Sequence, residues 1–257
     1  MAGFPIIEQP WVHHVEERAR GWVHSWETSA GQDGPGWRLV VYLSGCLLRC
    51  LYCHNPDTWN QYSGKEMSVD EVWREVERYR PMLKRGGITF TGGEPLVQAA
   101  FLKSLLRRVK QHGLHTAIDT AGFLGDRVDE EMMRDIDLVL LDIKCWNHQT
   151  YLRLTGKELE PTLRFARRLA ESRRPVWLRY VLVPGWTDLP EDIDGLARFA
   201  HSLGNIERVD VLPFHQLGKS KWAELGLRYE LEDLHPPTAE QIADALAIFR
   251  SHGLNAC

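Results

Sequence analysis

The 257-residue chain carries 44% hydrophobic and 26% charged residues with a formal net charge of −4, which excludes a broadly basic nucleic-acid binder or a membrane-surface protein. No run approaches the ~18 consecutive apolar residues of a membrane span. Met1-Ala2-Gly3-Phe4-Pro5 lacks the basic flank and apolar stretch of a signal peptide, so a cytoplasmic location is expected.

Residues 1–20 are polar and mixed and read as an N-terminal extension, with 21–257 as a single domain. In chain order the expected strands are Leu39–Leu43, Ile88–Phe90, Thr116–Asp119, Leu138–Ile143, Val176–Val183 and Val209–Phe214. They are rich in Val, Ile and Leu without strict alternation, the mark of parallel strands buried on both faces. Between them, Ser68-Val69-Asp70-Glu71 is a capping box opening a helix with Val72, Val76 and Tyr79 on one face and Pro81 at its far end. Further helices are expected over 96–112, 126–134, 162–172 and 191–203. Thr238-Ala239-Glu240-Gln241 caps a last one that buries Ile242, Ala245, Leu246 and Phe249. Six strands alternating with helices imply a parallel α/β architecture, and six fall short of the eight of a closed barrel, so an incomplete barrel is expected. The ten tryptophans read mainly as packing residues.

Three of only five cysteines fall in one run, Ser44-Gly45-Cys46-Leu47-Leu48-Arg49-Cys50-Leu51-Tyr52-Cys53-His54-Asn55-Pro56. The spacing C-x3-C-x2-C brings three thiolates to one place and withholds a fourth. A cubane iron–sulfur cluster normally takes four cysteines. A cluster held by three keeps one iron open, and an open metal position is where substrate chemistry occurs. Rival readings fit less well. Zinc needs a fourth ligand, and His54 is cramped against Cys53. Cys50-x-x-Cys53-His54 matches the c-type haem attachment pattern but leaves Cys46 unexplained and requires export. Disulfides are disfavoured by the distance to Cys145 and Cys257 and by a reducing cytosol.

Other motifs sit where expected strands end, the place where α/β folds gather working residues. Thr91-Gly92-Gly93-Glu94-Pro95 offers backbone that a ligand can approach, or else a tight strand-to-helix turn with Glu94 at a helix start. Asp119-Thr120 and Asp142-Ile143-Lys144 put carboxylates at two further ends. They suit a cationic ligand, a ribose diol or a monovalent cation, or else form a local Asp–Lys pair. His215 follows the last strand in Leu212-Pro213-Phe214-His215-Gln216-Leu217-Gly218. A lone histidine is more often structural, but its position singles it out.

Taken together these residues resemble the radical S-adenosylmethionine (SAM) enzymes and, within them, the branch that activates pyruvate formate-lyase. The resemblance covers about residues 21–255. It rests on Gly21 to Thr28, Asp33-Gly34-Pro35-Gly36, the cysteine loop with His54-Asn55, and Thr91 to Glu94. It continues in Leu141 to Lys144, Arg179 to Trp186, and Leu212 to Lys219. It implies a partial (β/α)6 TIM-like barrel with a cluster-binding loop after the first strand. Cys46, Cys50 and Cys53 would ligate a [4Fe–4S] cluster whose open iron takes the amino and carboxylate groups of SAM. Tyr52, Cys53 and His54 would border the adenosine, with Asn55 beside them. Gly93, flanked by Gly92 and Glu94, would border the methionine part, and Asp119, Asp142, Ile143, Lys144 and His215 the remainder. A monovalent cation is implied near Asp119, Thr120 and Asp142.

The activity implied is reductive cleavage of SAM and abstraction of a glycine Cα hydrogen from pyruvate formate-lyase. No side chain is implied as a general acid or base. Reduced flavodoxin or ferredoxin is the implied electron donor, and the enzyme is expected to act as a monomer. Cys53 is read as leading directly to the first helix, without the cysteine-rich insert of activases for other glycyl-radical enzymes. The competing readings are a radical enzyme for another glycyl-radical partner, such as anaerobic ribonucleotide reductase, or for a small molecule. A non-catalytic iron–sulfur carrier or sensor is the remaining one.

Overall fold

The computed structural model describes residues 19–257. The expected 1–20 extension therefore lies almost wholly outside the described residues. The six expected strands are present, as β2 (Trp37–Leu43), β4 (Gly87–Gly92), β5 (His115–Thr120), β6 (Leu138–Asp142), β7 (Val176–Leu182) and β8 (Ile206–Pro213). All six run parallel in the order β2-β4-β5-β6-β7-β8. Two strands that the sequence reading omits extend the sheet. β1 (Arg20–Ala30) pairs antiparallel with β2, and β3 (Lys65–Ser68) pairs antiparallel with β1 at the edge. The sheet does not close. β8 is the far edge, joined there by a parallel bridge from Val209 to Ala256.

Helices follow the strands: α1 (Val69–Leu83), α2 (Ala99–Gln111), α3 (Glu130–Arg134), α4 (His148–Thr155), α5 (Glu160–Glu171), α6 (Pro190–Leu203), α7 (Lys219–Glu224) and α8 (Ala239–Ser251). Both expected capping boxes form, Ser68 with Glu71 and Thr238 with Gln241. Pro81 is a correction. It lies inside the last turn of α1, which runs two residues further to Leu83, so the helix forgoes the single backbone bond that an N–H at this position would make to Glu77. The path after Cys53 is a second correction. A 3-10 turn over Pro56–Thr58 and strand β3 intervene before α1. Helices α4 and α7, eight and six residues long, were not expected.

The strands sort their side chains by alternation into two faces. Leu39 and Val41, Ile88 and Phe90, Ile118, Val139 and Leu141, Leu178 and Tyr180, and Val209 belong to the core cluster shared with the helices. On the inner face, Ala117, Leu138, Leu140 and Trp177 form a separate apolar layer. Beyond that layer the inner face turns polar. Register aligns Tyr42 with Thr91, and Asp142 with Arg179 and Arg179 with Asp210. An open sheet with a polar inner row is what positions the site.

Candidate active site

A cavity of about 770 Å³ opens at the C-terminal ends of the parallel strands. Cys46, Cys50 and Cys53 line it, together with Tyr52, His54, Asn55, Gly92, Gly93, Asp119, Thr120, Asp142, Lys144 and His215. The structure thus brings most of the expected residues together. Glu94 and Ile143 are outside the lining.

The cysteine loop is held by its neighbours. Gly45 N donates to Thr58 O at 2.7 Å, and Cys46 N to Trp59 O at 3.2 Å. Arg49 N and Leu51 N donate to Thr155 O and Leu154 O at the end of α4, at 2.7 and 3.0 Å. From α7, Trp222 Nε1 donates to Cys53 O at 2.8 Å, and Lys221 Nζ to Asn55 Oδ1 at 2.9 Å. The two unexpected helices are therefore the supports of the loop. All five cysteines are free of disulfides. Burial, reinforced by the Glu94 charge, pushes the Cys46 thiol up to about 12 against a weaker opposing hydrogen bond from the Leu48 backbone, and burial raises Cys50 and Cys53 as well. Such thiols become thiolates when a metal takes the place of the proton. Among the described residues no three His, Cys, Asp or Glu side chains meet closely enough to hold one metal ion. The three thiols instead line a roomy cavity, the arrangement a polynuclear cluster needs if each thiol binds a different iron.

Two strand-end ion pairs face the same space. Arg179 Nη1 donates to Asp119 Oδ2 at 2.8 Å, and Thr91 Oγ1 donates to the same oxygen at 3.0 Å. Burial raises the Asp119 carboxyl to about 6, Arg179 working against the rise. The field of Asp119 in turn raises Arg179. Lys144 Nζ sits 2.9 Å from Asp142 Oδ2. Burial works against the Lys144 charge, but Asp142, with Tyr52 and Cys50, outweighs it and holds the ammonium well above the usual lysine range. Three polar atoms in the cavity walls have no partner: Tyr52 Oη, Asp119 Oδ1 and Arg179 Nε. Buried polar atoms left unpaired at native sites await a ligand or water. On this observation, and on the three free thiols, the residues fit a cluster with a polar, partly cationic molecule beside it.

Gly92 adopts φ +127° next to the cavity, a conformation that side chains rarely take. Glu94 is fully enclosed behind this turn. Its Oε1 accepts from Thr120 Oγ1 at 2.7 Å and Leu96 N at 3.1 Å, and its Oε2 from Ala121 N at 3.0 Å. Glu94 thus ties the glycine turn to the end of β5 and caps the 3-10 turn Pro95–Gln98 that follows it. Ile143 turns into the core cluster under the helices because it alternates with Asp142 and Lys144. His54 and His215 stack at the mouth, with ring centroids 4.0 Å apart.

Sequence reasoning missed Tyr42, Asp33, Arg179, Arg208 and Asp210 in the lining. Asp33 belongs to the loop between β1 and β2. Its carbonyl accepts from Thr89 Oγ1, and its carboxylate lies 3.6 Å from Arg179 Nη1. A cation alternating with apolar residues in Trp177-Leu178-Arg179-Tyr180-Val181 was the available signal for Arg179.

Comparison with known proteins agrees with this geometry. The radical SAM superfamily model matches residues 40–200. A pyruvate formate-lyase-activating enzyme of Staphylococcus epidermidis is 44% identical over 243 residues, covering 91% of this chain and 97% of the relative. One from Staphylococcus aureus is 46% identical over 235 residues, covering 88% and 94%. Among solved structures, a domain of pyruvate-formate lyase-activating enzyme from Bacteroides vulgatus superposes with a TM-score of 0.57 at 30% identity, over 67% of this chain and 98% of that one. SuiB of Streptococcus suis reaches a TM-score of 0.64 at 17% identity, over 84% of this chain and 47% of SuiB, and supports the fold alone. The chain is therefore an enzyme of the radical SAM superfamily, whose members work with an iron–sulfur cluster and SAM, and belongs within it to the pyruvate formate-lyase-activating enzymes.

Proposed function

We propose that the chain holds a [4Fe–4S] cluster on Cys46, Cys50 and Cys53, binds SAM at the iron these thiols leave open, and installs a glycyl radical in pyruvate formate-lyase. The observation that carries this reading is the meeting of three unpaired thiols with Asp119, Asp142, Lys144 and His215 around one cavity. When bound, the reduced cluster would supply the one electron that breaks a carbon–sulfur bond of SAM, and SAM would supply the group that takes a hydrogen atom from a glycine Cα, with methionine and 5′-deoxyadenosine as the products.

The chain's own residues bind and orient, since the hard chemistry belongs to the cofactors. The turn at Gly92 and Gly93 lets an amino-acid fragment approach the backbone beside Cys46. The stacked His54 and His215 form a flat aromatic wall suited to a purine. Tyr52 and Asn55 flank it from the cysteine loop. Asp142 and Lys144 offer one acceptor and one donor to the ribose and amino-acid portions. Asp119 keeps an oxygen without a partner, the atom that a monovalent cation shared with Thr120 and Asp142 would take. Reduction from outside calls for a low-potential donor, a reduced flavodoxin or ferredoxin.

Anaerobic reconstitution with iron and sulfide, followed by reductant, SAM and pyruvate formate-lyase, tests the reading. The expected result is a glycyl-radical EPR signal in the lyase. A fully loaded, reduced protein that leaves the lyase diamagnetic would overturn it.

A further inference from the structure

The cysteine loop has two sides. Cys46, Leu48, Cys50 and Cys53 line the cavity, whereas Leu47 and Arg49 lie outside the lining and are exposed. One thickness of polypeptide thus separates the cavity from solvent here. The outer side continues onto α4, because Arg49 N and Leu51 N bond its last carbonyls and Gly156, its left-handed cap, lies beside the Arg49 Cβ.

This surface departs from the charge of the whole chain, which is −4. Segments 46–55 and 147–159 contribute Arg49, Arg153 and Lys157 against a single carboxylate, Glu158. None of the three cations has a carboxylate partner among the described residues. Each is instead laid over an aromatic ring: Arg49 over Trp59 at 4.6 Å, Arg153 over Trp186 at 5.0 Å and Lys157 over Phe123 at 5.7 Å. Arg49 Nη1 also donates to Cys46 O and Leu48 O at 2.8 Å. A ring fixes the side chain without cancelling its charge, so the positive field stays available to a partner. Leu47 and Leu152, 42% and 44% exposed, supply apolar contact beside the cations.

We infer that this face, Leu47, Arg49, Leu152, Arg153 and Lys157, docks a small acidic one-electron carrier protein that feeds the cysteine loop from behind. The inference rests on the cluster reading above, which alone gives an electron a destination. A modest, charge-steered surface suits a partner that must bind, deliver and leave, since transient redox encounters bury little area and gain their rate from electrostatics.

The test uses the reconstituted holoenzyme and flavodoxin as the acidic probe. Arg153→Glu with Lys157→Glu should weaken flavodoxin binding by about tenfold or more at low ionic strength, and wild-type binding should fall steeply with added salt. SAM cleavage driven by photoreduced deazaflavin, a small reductant that needs no docking surface, should keep its wild-type rate. The charge-conserving pair Arg153→Lys with Lys157→Arg should bind flavodoxin like the wild type. Unchanged flavodoxin affinity in the reversed variant overturns the proposal, as does an equal loss of deazaflavin-driven cleavage. Charge-dependent flavodoxin binding supports the surface whether or not SAM is cleaved, so a wild-type protein without cleavage counts against the activase reading alone.

Discussion

His54 and His215, 161 residues apart in sequence, stack with their planes 23° apart, and His54 Nε2 donates to the His215 carbonyl at 3.2 Å. The contact joins the end of the cysteine loop to the segment after β8 across the open side of the sheet. Burial, reinforced by the neighbouring His215, lowers the His54 pKa and favours the neutral ring. The neutral His54 ring offers a flat face without adding positive charge beside it. His215→Ala removes half of the stacked pair while leaving all three thiols, and an aromatic pair is worth ~0.5–1.5 kcal/mol. SAM affinity should therefore drop by up to about tenfold with iron content unchanged. Titration of SAM into the reduced protein, followed by EPR, measures this. Wild-type affinity would remove His215 from the site.

Cys50→Ala tests the cluster itself. The three cysteines are half-buried, and desolvation keeps their thiols protonated without metal, so they gain nothing from charge until iron displaces the protons. With two thiols left, iron and sulfide after anaerobic reconstitution should fall close to background, and SAM cleavage should vanish. Full iron loading of the variant would show that the loop is not the ligand set.

How far the sequence reveals this site depends on which physical signal each part leaves. The parallel strands are legible because both faces are buried and their residues run apolar. β1 and β3 are not, because each is antiparallel and partly exposed, with polar residues such as His24, Ser25 and Glu27 in β1. The cysteine loop is legible through local spacing. Asp119 and Asp142 are legible through their places at strand ends. Arg179 is hidden in a strand that otherwise reads as core, and only the register that sets it beside Asp142 and Asp210 exposes its role. Glu94 is legible only in part. Its motif suggests ligand contact, but the acceptor role toward Thr120 and Ala121 depends on tertiary neighbours that no local pattern encodes.

The Asp119–Arg179 pair should dominate the stability of the inner face. Both side chains are largely buried, and removing one partner from such a pair leaves an uncompensated charge at ~3–5 kcal/mol. Arg179→Met should lower the thermal midpoint by roughly 10 °C, at about 2–4 °C per kcal/mol for a domain of this size. Arg179→Met combined with Asp119→Asn should recover much of that loss, because no charge is then left alone. A single Arg179→Met variant as stable as the wild type would mean that solvent reaches Asp119 freely.

Glu94 sets a pH dependence whose sign follows from burial. Burial raises its carboxyl from 4.5 to about 7, with the hydrogen bonds from Thr120, Leu96 and Ala121 opposing. The folded protein then holds a proton that the unfolded chain releases between these values. The contribution is fully present below pH 4.5 and is lost as pH rises through about 7. Asp119, raised to about 6, acts in the same direction at a lower window. Thermal midpoints measured across this range should decline with rising pH, and Glu94→Gln should flatten the upper part of the decline. It should also lower stability by ~1–3 kcal/mol, since an amide has a single accepting oxygen and its NH2 would face one of the donors that Glu94 accepts from. An identical pH slope in the variant would assign the effect elsewhere.

The glycine turn and the cysteine loop touch through backbone, which yields the sharpest steric test. Glu94 N donates to Gly45 O at 2.8 Å, and a Cβ placed on Gly93 would lie 2.5 Å from that same oxygen and 3.0 Å from the Cys46 Cβ. Neither neighbour is a flexible side-chain tip, so the cysteine loop itself must shift. Gly93→Ala should therefore cost ~1–3 kcal/mol of stability and reduce iron incorporation, although it removes no ligand. Gly113→Ala supplies the comparison. That residue has φ +71° after α2 with open space around it, so its substitution carries backbone strain without a collision. It should lower stability while iron loading stays normal. Equal iron loading in the two variants would mean that the Gly93 turn does not set the position of Cys46.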